Sequence, residues 1–234
     1  MFNKKIVRAQ WLILGVITCV LLNSNVQATE SHDHHQHHDP HAKHKQMGTA
    51  GMEEQSQGGA ELDIPETALL NQYGQSVNFR QDVVADNIVV MDFIYTSCTT
   101  VCPVLSAVMA QVQRKLEPRI GHGVSLVSLT VDPVRDNPQR LLDYSRQHDA
   151  GPGWTWLTGS KPAVDSVLVS LGTYTPNFVD HPSLVMVGDV KTGQWTRFYG
   201  FPSPDRIVAT VNKLLKERAK LDSKEVVEGA FLWN

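Results

Sequence analysis

The sequence predicts an α/β fold, a sandwich of helices around a mixed central sheet with a β-hairpin at its N-terminal end. Three observations predict it. The runs Ile88 to Tyr95 and Val124 to Val131 are continuously apolar and β-prone, as in strands covered on both faces. Between them Leu105, Val108, Met109, Val112 and Leu116 recur at helical spacing, so one stripe of a helix faces a core. Strand and helix patterns then alternate before the chain closes on a hairpin and a helix.

Taken in order, Leu69 to Phe79 has two short apolar stretches around Gly74, the mark of a hairpin. Ile88 to Tyr95 is the central strand. A helix is predicted over 103–117, and Pro103 suits its first turn, where a missing N–H costs no hydrogen bond. Val124 to Val131 is the next buried strand and ends at Asp132-Pro133. Asn137-Pro138 opens a helix to about His148, Trp154 and Trp156 are assigned to the core, and Lys161 to Leu171 makes another helix. Leu184 to Val187 is a short strand, Asp189 to Gly193 a turn, Trp195 to Tyr199 the returning strand, and Asp205 to Glu217 the last helix. This order, β-α-β-α-β-β-α with additions, is thioredoxin-like. The folded domain is expected over 61–218, with 219–234 as a C-terminal tail ending in Phe231-Leu232-Trp233-Asn234.

The start of the chain reads differently. Lys4, Lys5 and Arg8 precede an apolar run from Trp11 to Leu22, and Val26-Gln27-Ala28 offers a small-residue cleavage site, so 1–28 is expected to be a secretory signal peptide. The run is about 12 residues against the roughly 20 that span a bilayer, which favours cleavage over retention as a membrane anchor. Thr18 is a poor match to the small residue that precedes a lipoprotein cysteine, so Cys19 is not assigned that role. Cleavage removes three cations and no acid, taking the formal net charge from −3 to −6. An exported, mildly acidic protein of the periplasm is expected, with membrane association only through residues 1–28. No basic block follows residue 10, so nucleic-acid binding has no electrostatic footprint.

Residues 29–60 carry seven histidines between His32 and His44, then a Gly-, Gln- and Glu-rich stretch with Met47 and Met52. The segment has no helical or strand period and few apolar side chains, and is expected to be a disordered tether. Imidazole binds Cu(II), Zn(II) and Ni(II), and thioether sulfur suits Cu(I), so the tract is either a solvated linker or a tail that captures copper for the domain.

Chemistry concentrates at Cys98 and Cys102, in Tyr95-Thr96-Ser97-Cys98-Thr99-Thr100-Val101-Cys102-Pro103 between the central strand and the helix. Helix N-terminal N–H groups favour anions, so at least one thiolate is expected to be stabilised. A spacing of four lets both sulfurs point to one side, to oxidise together or to chelate one ion. In an exported protein, any role for free thiols also requires a reductant. Two thiolates suit Cu(I), and a third ligand would retain the metal better. The candidate is His181, in Val179-Asp180-His181-Pro182, because in a thioredoxin-like sheet the loop before the strand at 184 packs beside the active cysteines. His122 and His148 have no such placement. Asp132 and Asp136 are read first as turn or cap residues and second as charges that tune the site electrostatically.

Four segments in order resemble the Sco/SenC family of copper chaperones: the strand-Cys-x-x-x-Cys-Pro-helix core at Cys98 to Pro103, Asp-Pro-x-Arg-Asp at Asp132 to Asp136, Pro-Gly-Trp at Pro152 to Trp154, and Val-Asp-His at Val179 to His181. The resemblance covers roughly residues 65 to 215. It implies a thioredoxin-like domain in which Cys98, Cys102 and His181 bind one copper ion for the dinuclear copper site of cytochrome c oxidase. The partner would be the copper-bearing subunit or another copper chaperone. It also implies an alternative or accompanying role as a thiol-disulfide oxidoreductase, with Cys98 and Cys102 as the catalytic redox pair. Family members usually carry Pro-Asp-Val between the cysteines, where this chain has Thr99-Thr100-Val101, and many have Ser or Thr where Pro182 follows His181. The first changes the loop's rigidity and local charge, and the second, at the place of the thioredoxin cis-proline loop, shifts some weight toward redox chemistry. A peroxidase would need a proline shortly before the reactive cysteine, and Tyr95-Thr96-Ser97 has none.

Overall fold

The computed structural model describes residues 62–231, with side chains through residue 224. The expected signal segment with Cys19, the His32 to His44 tract with Met47 and Met52, and the last three residues of the expected tail lie outside the described residues.

Seven strands form one mixed sheet: β1 (Ala68–Asn71), β2 (Ser76–Asn78), β3 (Ile88–Ile94), β4 (Val124–Thr130), β5 (Trp154–Thr158), β6 (Leu184–Asp189) and β7 (Gln194–Tyr199), in the spatial order β2-β1-β5-β4-β3-β6-β7. The three central strands β5, β4 and β3 run parallel, and β1 and β6 flank them antiparallel. β1 and β2 form the expected N-terminal hairpin. The fold is the α/β sandwich with a mixed sheet that the sequence predicts.

Every residue of β3 is buried, which explains its unbroken apolar run. Its residues alternate between two cores. Ile88, Val90 and Ile94 face α1 (Val101–Leu116), α2 (Pro138–Gln147) and α4 (Pro204–Phe231), meeting Leu105, Met109, Tyr144 and Val211. Val89, Met91 and Phe93 face the π-helical turn Phe79–Val84 and α3 (Lys161–Ser170), meeting Phe79, Val167 and Leu168. Both faces are covered, so the end of β3 is a fixed point from which the cysteine loop departs.

Three differences from the sequence reading have local causes. Trp154 and Trp156 do pack in the core, stacked at 4.9 Å, but they do so as residues of β5, pairing in parallel with Leu126 and Ser128. Helix α1 begins at Val101, so Cys102 lies inside its first turn. Helix α4 continues to Phe231 through the segment expected to be a tail. Arg218 ties that extension to the sheet: Nε and Nη2 donate to the two carboxylate oxygens of buried Asp189 (2.8 and 2.6 Å), and Nη1 donates to the Asp86 carbonyl (2.8 Å). Among the described residues no helix is long and apolar enough to cross a membrane.

Gly188 on β6 sits opposite Trp195 on β7, and a Cβ there would lie 1.9 Å from Cε3 of the buried indole. The buried indole must shift to make room, so Gly188→Ala is expected to destabilise the protein by about 3 kcal/mol, the upper part of the overpacking range. Thermal or urea unfolding of the two proteins measures it.

Candidate functional site

The site grows from the end of β3. Beyond Ile94 the chain turns, with the Cys98 N–H donating to the Tyr95 carbonyl (3.0 Å), and enters α1. The N-cap residue Thr100 makes no side-chain cap. Cys98 Sγ instead accepts the N–H of Cys102 (3.3 Å), a donor that the first helical turn leaves free. The sulfur therefore sits against the positive end of the helix. Pro103 next in line has no N–H to satisfy. Both cysteines are free and buried.

The two thiols differ sharply. Burial alone would push the Cys98 thiol up, but hydrogen bonds from the Cys102 backbone and side chain, the Thr100 backbone and the Tyr95 hydroxyl bring it down to about 6. The Cys102 thiol is pushed up to about 12, first by burial, then by its hydrogen bond to Cys98, with the Cys98 and Asp92 charges adding. At neutral pH Cys98 is a thiolate and Cys102 its proton-bearing neighbour.

His181 follows the one-turn 3-10 helix Phe178–Asp180, and its N–H donates to the Phe178 carbonyl (3.2 Å). Its ring lies 5.2 Å from that of Phe93. Burial lowers its pKa to about 4, against the opposing effect of the Pro182 and Thr173 backbone, so the imidazole is neutral at ordinary pH. Nε2 is buried and has no hydrogen-bond partner. Buried polar atoms are rarely left so, and a neutral imidazole with one unengaged nitrogen suits a metal or an incoming donor.

Cys98, Cys102 and His181 line one cleft of about 260 Å³, with Phe93, Tyr95 and Pro182 in its walls. A larger cavity of about 740 Å³ beside Arg80, Lys191 and Trp195 has no cysteine or histidine in its lining. Among the described residues no three His, Cys, Asp or Glu side chains stand close enough together to hold a metal ion. The three groups share a space without converging in it, so an ion would have to draw them inward. Two thiols and an imidazole form a soft donor set suited to copper. His122 is exposed in a turn, and the His148 ring lies tilted against that of Tyr144 at 4.6 Å. Neither lines the cleft.

Sequence reasoning missed three contributors. Tyr95 lines the cleft beside Cys98, and its hydroxyl helps to bring the Cys98 thiol down. Asp136, expected as a turn or cap residue, accepts hydrogen bonds from both the N–H and the hydroxyl of Thr96, two residues before Cys98. Asp92 is fully buried on β3 and accepts from Ser128 Oγ, its other oxygen has no partner, and burial pushes it up to about 7. An acid inside an otherwise apolar strand run was the available signal for Asp92.

The thiol asymmetry gives a direct expectation. Alkylation of the reduced protein by iodoacetamide should rise with pH through a midpoint near 6 and label Cys98 before Cys102. Mass spectrometry of quenched samples follows it. The Cys98 pKa is depressed in the folded state, so its contribution to stability is present above its unfolded value near 9 and is lost as pH falls through about 6.

Known proteins share the family pattern and the fold. The family model for SCO1/SenC matches residues 56–216. The SCO1 protein homolog of Bacillus subtilis is 32% identical over 90 residues, covering 38% of this chain and 45% of that protein. The chain spans about half the length of the first curated relatives it matches. Among solved structures, Arabidopsis thaliana ScoI with copper bound superposes with a TM-score of 0.54 at 21% identity, covering 65% of this chain and 98% of that one. BsSco, described as a Sco-family cytochrome c oxidase assembly protein with a disulfide switch, gives a TM-score of 0.56 at 24% identity, covering 65% of this chain and 93% of that one. Both likenesses establish a common fold.

Proposed function

The chain belongs to the SCO1/SenC family, and from that premise we propose that it is an exported metallochaperone that carries one copper ion on Cys98, Cys102 and His181. One observation carries the reading: a stabilised thiolate, a second thiol and a buried imidazole nitrogen without a partner all belong to a single cleft. Copper is the cargo, and its acceptor is the dinuclear copper site of cytochrome c oxidase or a chaperone that feeds it. Structural neighbours solved with copper bound, and one described as a cytochrome c oxidase assembly protein, support this reading. Binding displaces the proton that Cys102 retains at neutral pH, so loading releases acid. The periplasm is the proposed location, reached through residues 1–28, and the His32 to His44 tract is the proposed first contact for Cu(II).

A second reading rests on the unequal thiols. The Cys98 thiolate attacks a partner disulfide, forming a mixed disulfide and expelling one partner thiolate. Cys102, on losing its proton, then attacks Cys98 Sγ, forming the Cys98–Cys102 bond and releasing the other partner thiolate. A thiol reductant would return the pair to its starting state.

Copper titration of the reduced and the oxidised chain tests the first reading. The reduced chain is expected to retain one ion that the chain with a Cys98–Cys102 disulfide does not, because the disulfide removes both sulfur donors. Equal retention would contradict it. Deleting residues 29–60 is expected to lower the Cu(II) equivalents bound and leave that ion in place, while unchanged stoichiometry would reduce the tract to a linker.

A further inference from the structure

The cysteines and the histidine of the cleft come from loops 80 residues apart in sequence, one leaving β3 and one entering β6, and neither loop alone fixes the distance between them. A third loop touches both. After β4 the chain makes a tight turn in which the Asp132 carbonyl accepts the N–H groups of Arg135 (3.1 Å) and Asp136 (2.9 Å). Thr158 Oγ1 ties the turn to β5 by donating to the Asp136 carbonyl (2.6 Å), and the Asp132 N–H donates to Thr130 Oγ1 (3.0 Å).

Two adjacent side chains leave this turn in different directions. The Asp136 carboxylate, 2% exposed, accepts from the Thr96 N–H (3.0 Å), the Thr96 hydroxyl (2.5 Å) and Thr130 Oγ1 (2.7 Å). The cysteine loop is thereby fastened two residues before Cys98. Arg135 is held by Asp132 Oδ2 (2.9 Å), and its guanidinium lies over the Phe178 ring at 5.1 Å. Phe178 meets Tyr95 edge-on at 5.1 Å, and its carbonyl accepts the N–H of His181. The histidine loop is thereby fastened three residues before its imidazole.

We propose that the Asp132–Asp136 turn is a bracket that fixes the separation of the cysteine pair from His181, with Asp136 the positioning residue on the cysteine side and Arg135 on the histidine side. Neither residue lines the cleft, and each acts through a neighbour, Thr96 or Phe178. The inference rests on the three-residue copper reading. A cleft whose donors share a space without converging gains specificity when the space has a set width, because an ion then pulls both loops by a fixed small amount.

The test is a cycle of variants in the full chain: Arg135→Ala, His181→Ala and both together, with copper affinity of the reduced protein as one readout. The Arg135 side chain is 56% exposed, so its removal leaves the core intact. Arg135→Ala is expected to weaken copper binding roughly fivefold, the scale of one cation–π contact. The double variant is expected to be no weaker than His181→Ala alone, because the bracket acts only through that imidazole. Phe178→Tyr keeps the ring and should bind copper as the parent does. A copper-free readout runs alongside: the His181 ring resonances, set by the neighbouring Phe93 ring, should shift in Arg135→Ala and not in Phe178→Tyr. Additive losses in the double variant, or unmoved His181 resonances in Arg135→Ala, would overturn the bracket. Unchanged copper affinity in His181→Ala would overturn the three-residue reading instead, and the copper-free resonances would then judge the bracket by themselves.

Discussion

Alanine in place of His181 is expected to weaken copper binding by the reduced protein on the order of a hundredfold or more. Losing an outer partner of a metal ligand already costs about 10–100-fold, so losing a ligand should cost at least the upper end of that range. Disulfide exchange should survive the same change. The thiolate of Cys98 is stabilised by Cys102, Thr100 and Tyr95, and no part of that stabilisation comes from His181. Copper affinity measured by competition with a chromophoric chelator, together with the rate of exchange with a small disulfide, gives both numbers on one sample. A large drop in the first with little change in the second would assign the imidazole to the metal. A drop in both would instead make His181 a structural support for the loop.

Asp136→Ala is expected to have the largest effect on the fold among the side chains around the cleft. Its carboxylate is the acceptor for one backbone N–H and two hydroxyls, all close to the cysteine loop. Alanine leaves the Thr96 N–H without that acceptor, and each buried donor left so costs about 1–3 kcal/mol. The hydroxyls can rotate toward other acceptors, so a total of about 3 kcal/mol is expected, or a fall of roughly 6–12 °C in Tm for a domain of this size. The ion pair with Arg140, 3.9 Å away and on a half-exposed side chain, contributes little of this. Asp136→Asn keeps one acceptor oxygen and should recover about half. A fall smaller than 1 kcal/mol for Asp136→Ala would show that the loop finds other partners.

Residues that report burial along the chain were legible in the sequence. The uninterrupted run of β3 and the stripe on α1 identified the layers on both sides of the sheet, and the cysteine spacing identified the loop between them. β5 was not recognised, because Trp154-Thr155-Trp156 is short and its aromatic residues satisfy a core assignment equally well without a strand. The extension of α4 was missed because its anchors are long-range pairings, Arg218 with Asp189 and Asp222 with Lys191, between residues 29 and 31 apart. His181 was found from fold order, since a loop entering β6 must lie beside one leaving its neighbour β3. Asp136 and Arg135 were not. An Asp after a strand end reads as a turn residue, and nothing local in Asp132-Pro133-Val134-Arg135-Asp136 tells that its side chains reach Thr96 and Phe178. The difference between Cys98 and Cys102 was legible only as a tendency of helix N-termini. Its size depends on which sulfur accepts the free N–H, and that is a property of the folded turn.

The two proposed roles, copper handling and thiol exchange, draw on the same two sulfurs, so under that proposal the state of the pair decides which is available. With both thiols reduced, Cys98 offers a thiolate and Cys102 a proton that a metal can displace. With the disulfide formed, the cleft keeps only the imidazole. The measurement that tests the copper site most directly is X-ray absorption at the copper edge on the reduced chain lacking residues 29–60, loaded with one equivalent of copper, beside the same protein carrying His181→Ala. Two sulfur scatterers and one imidazole nitrogen per copper, with the nitrogen lost in His181→Ala, is the expected result. Copper surrounded by nitrogen and oxygen alone, or a spectrum that His181→Ala leaves unchanged, would contradict it.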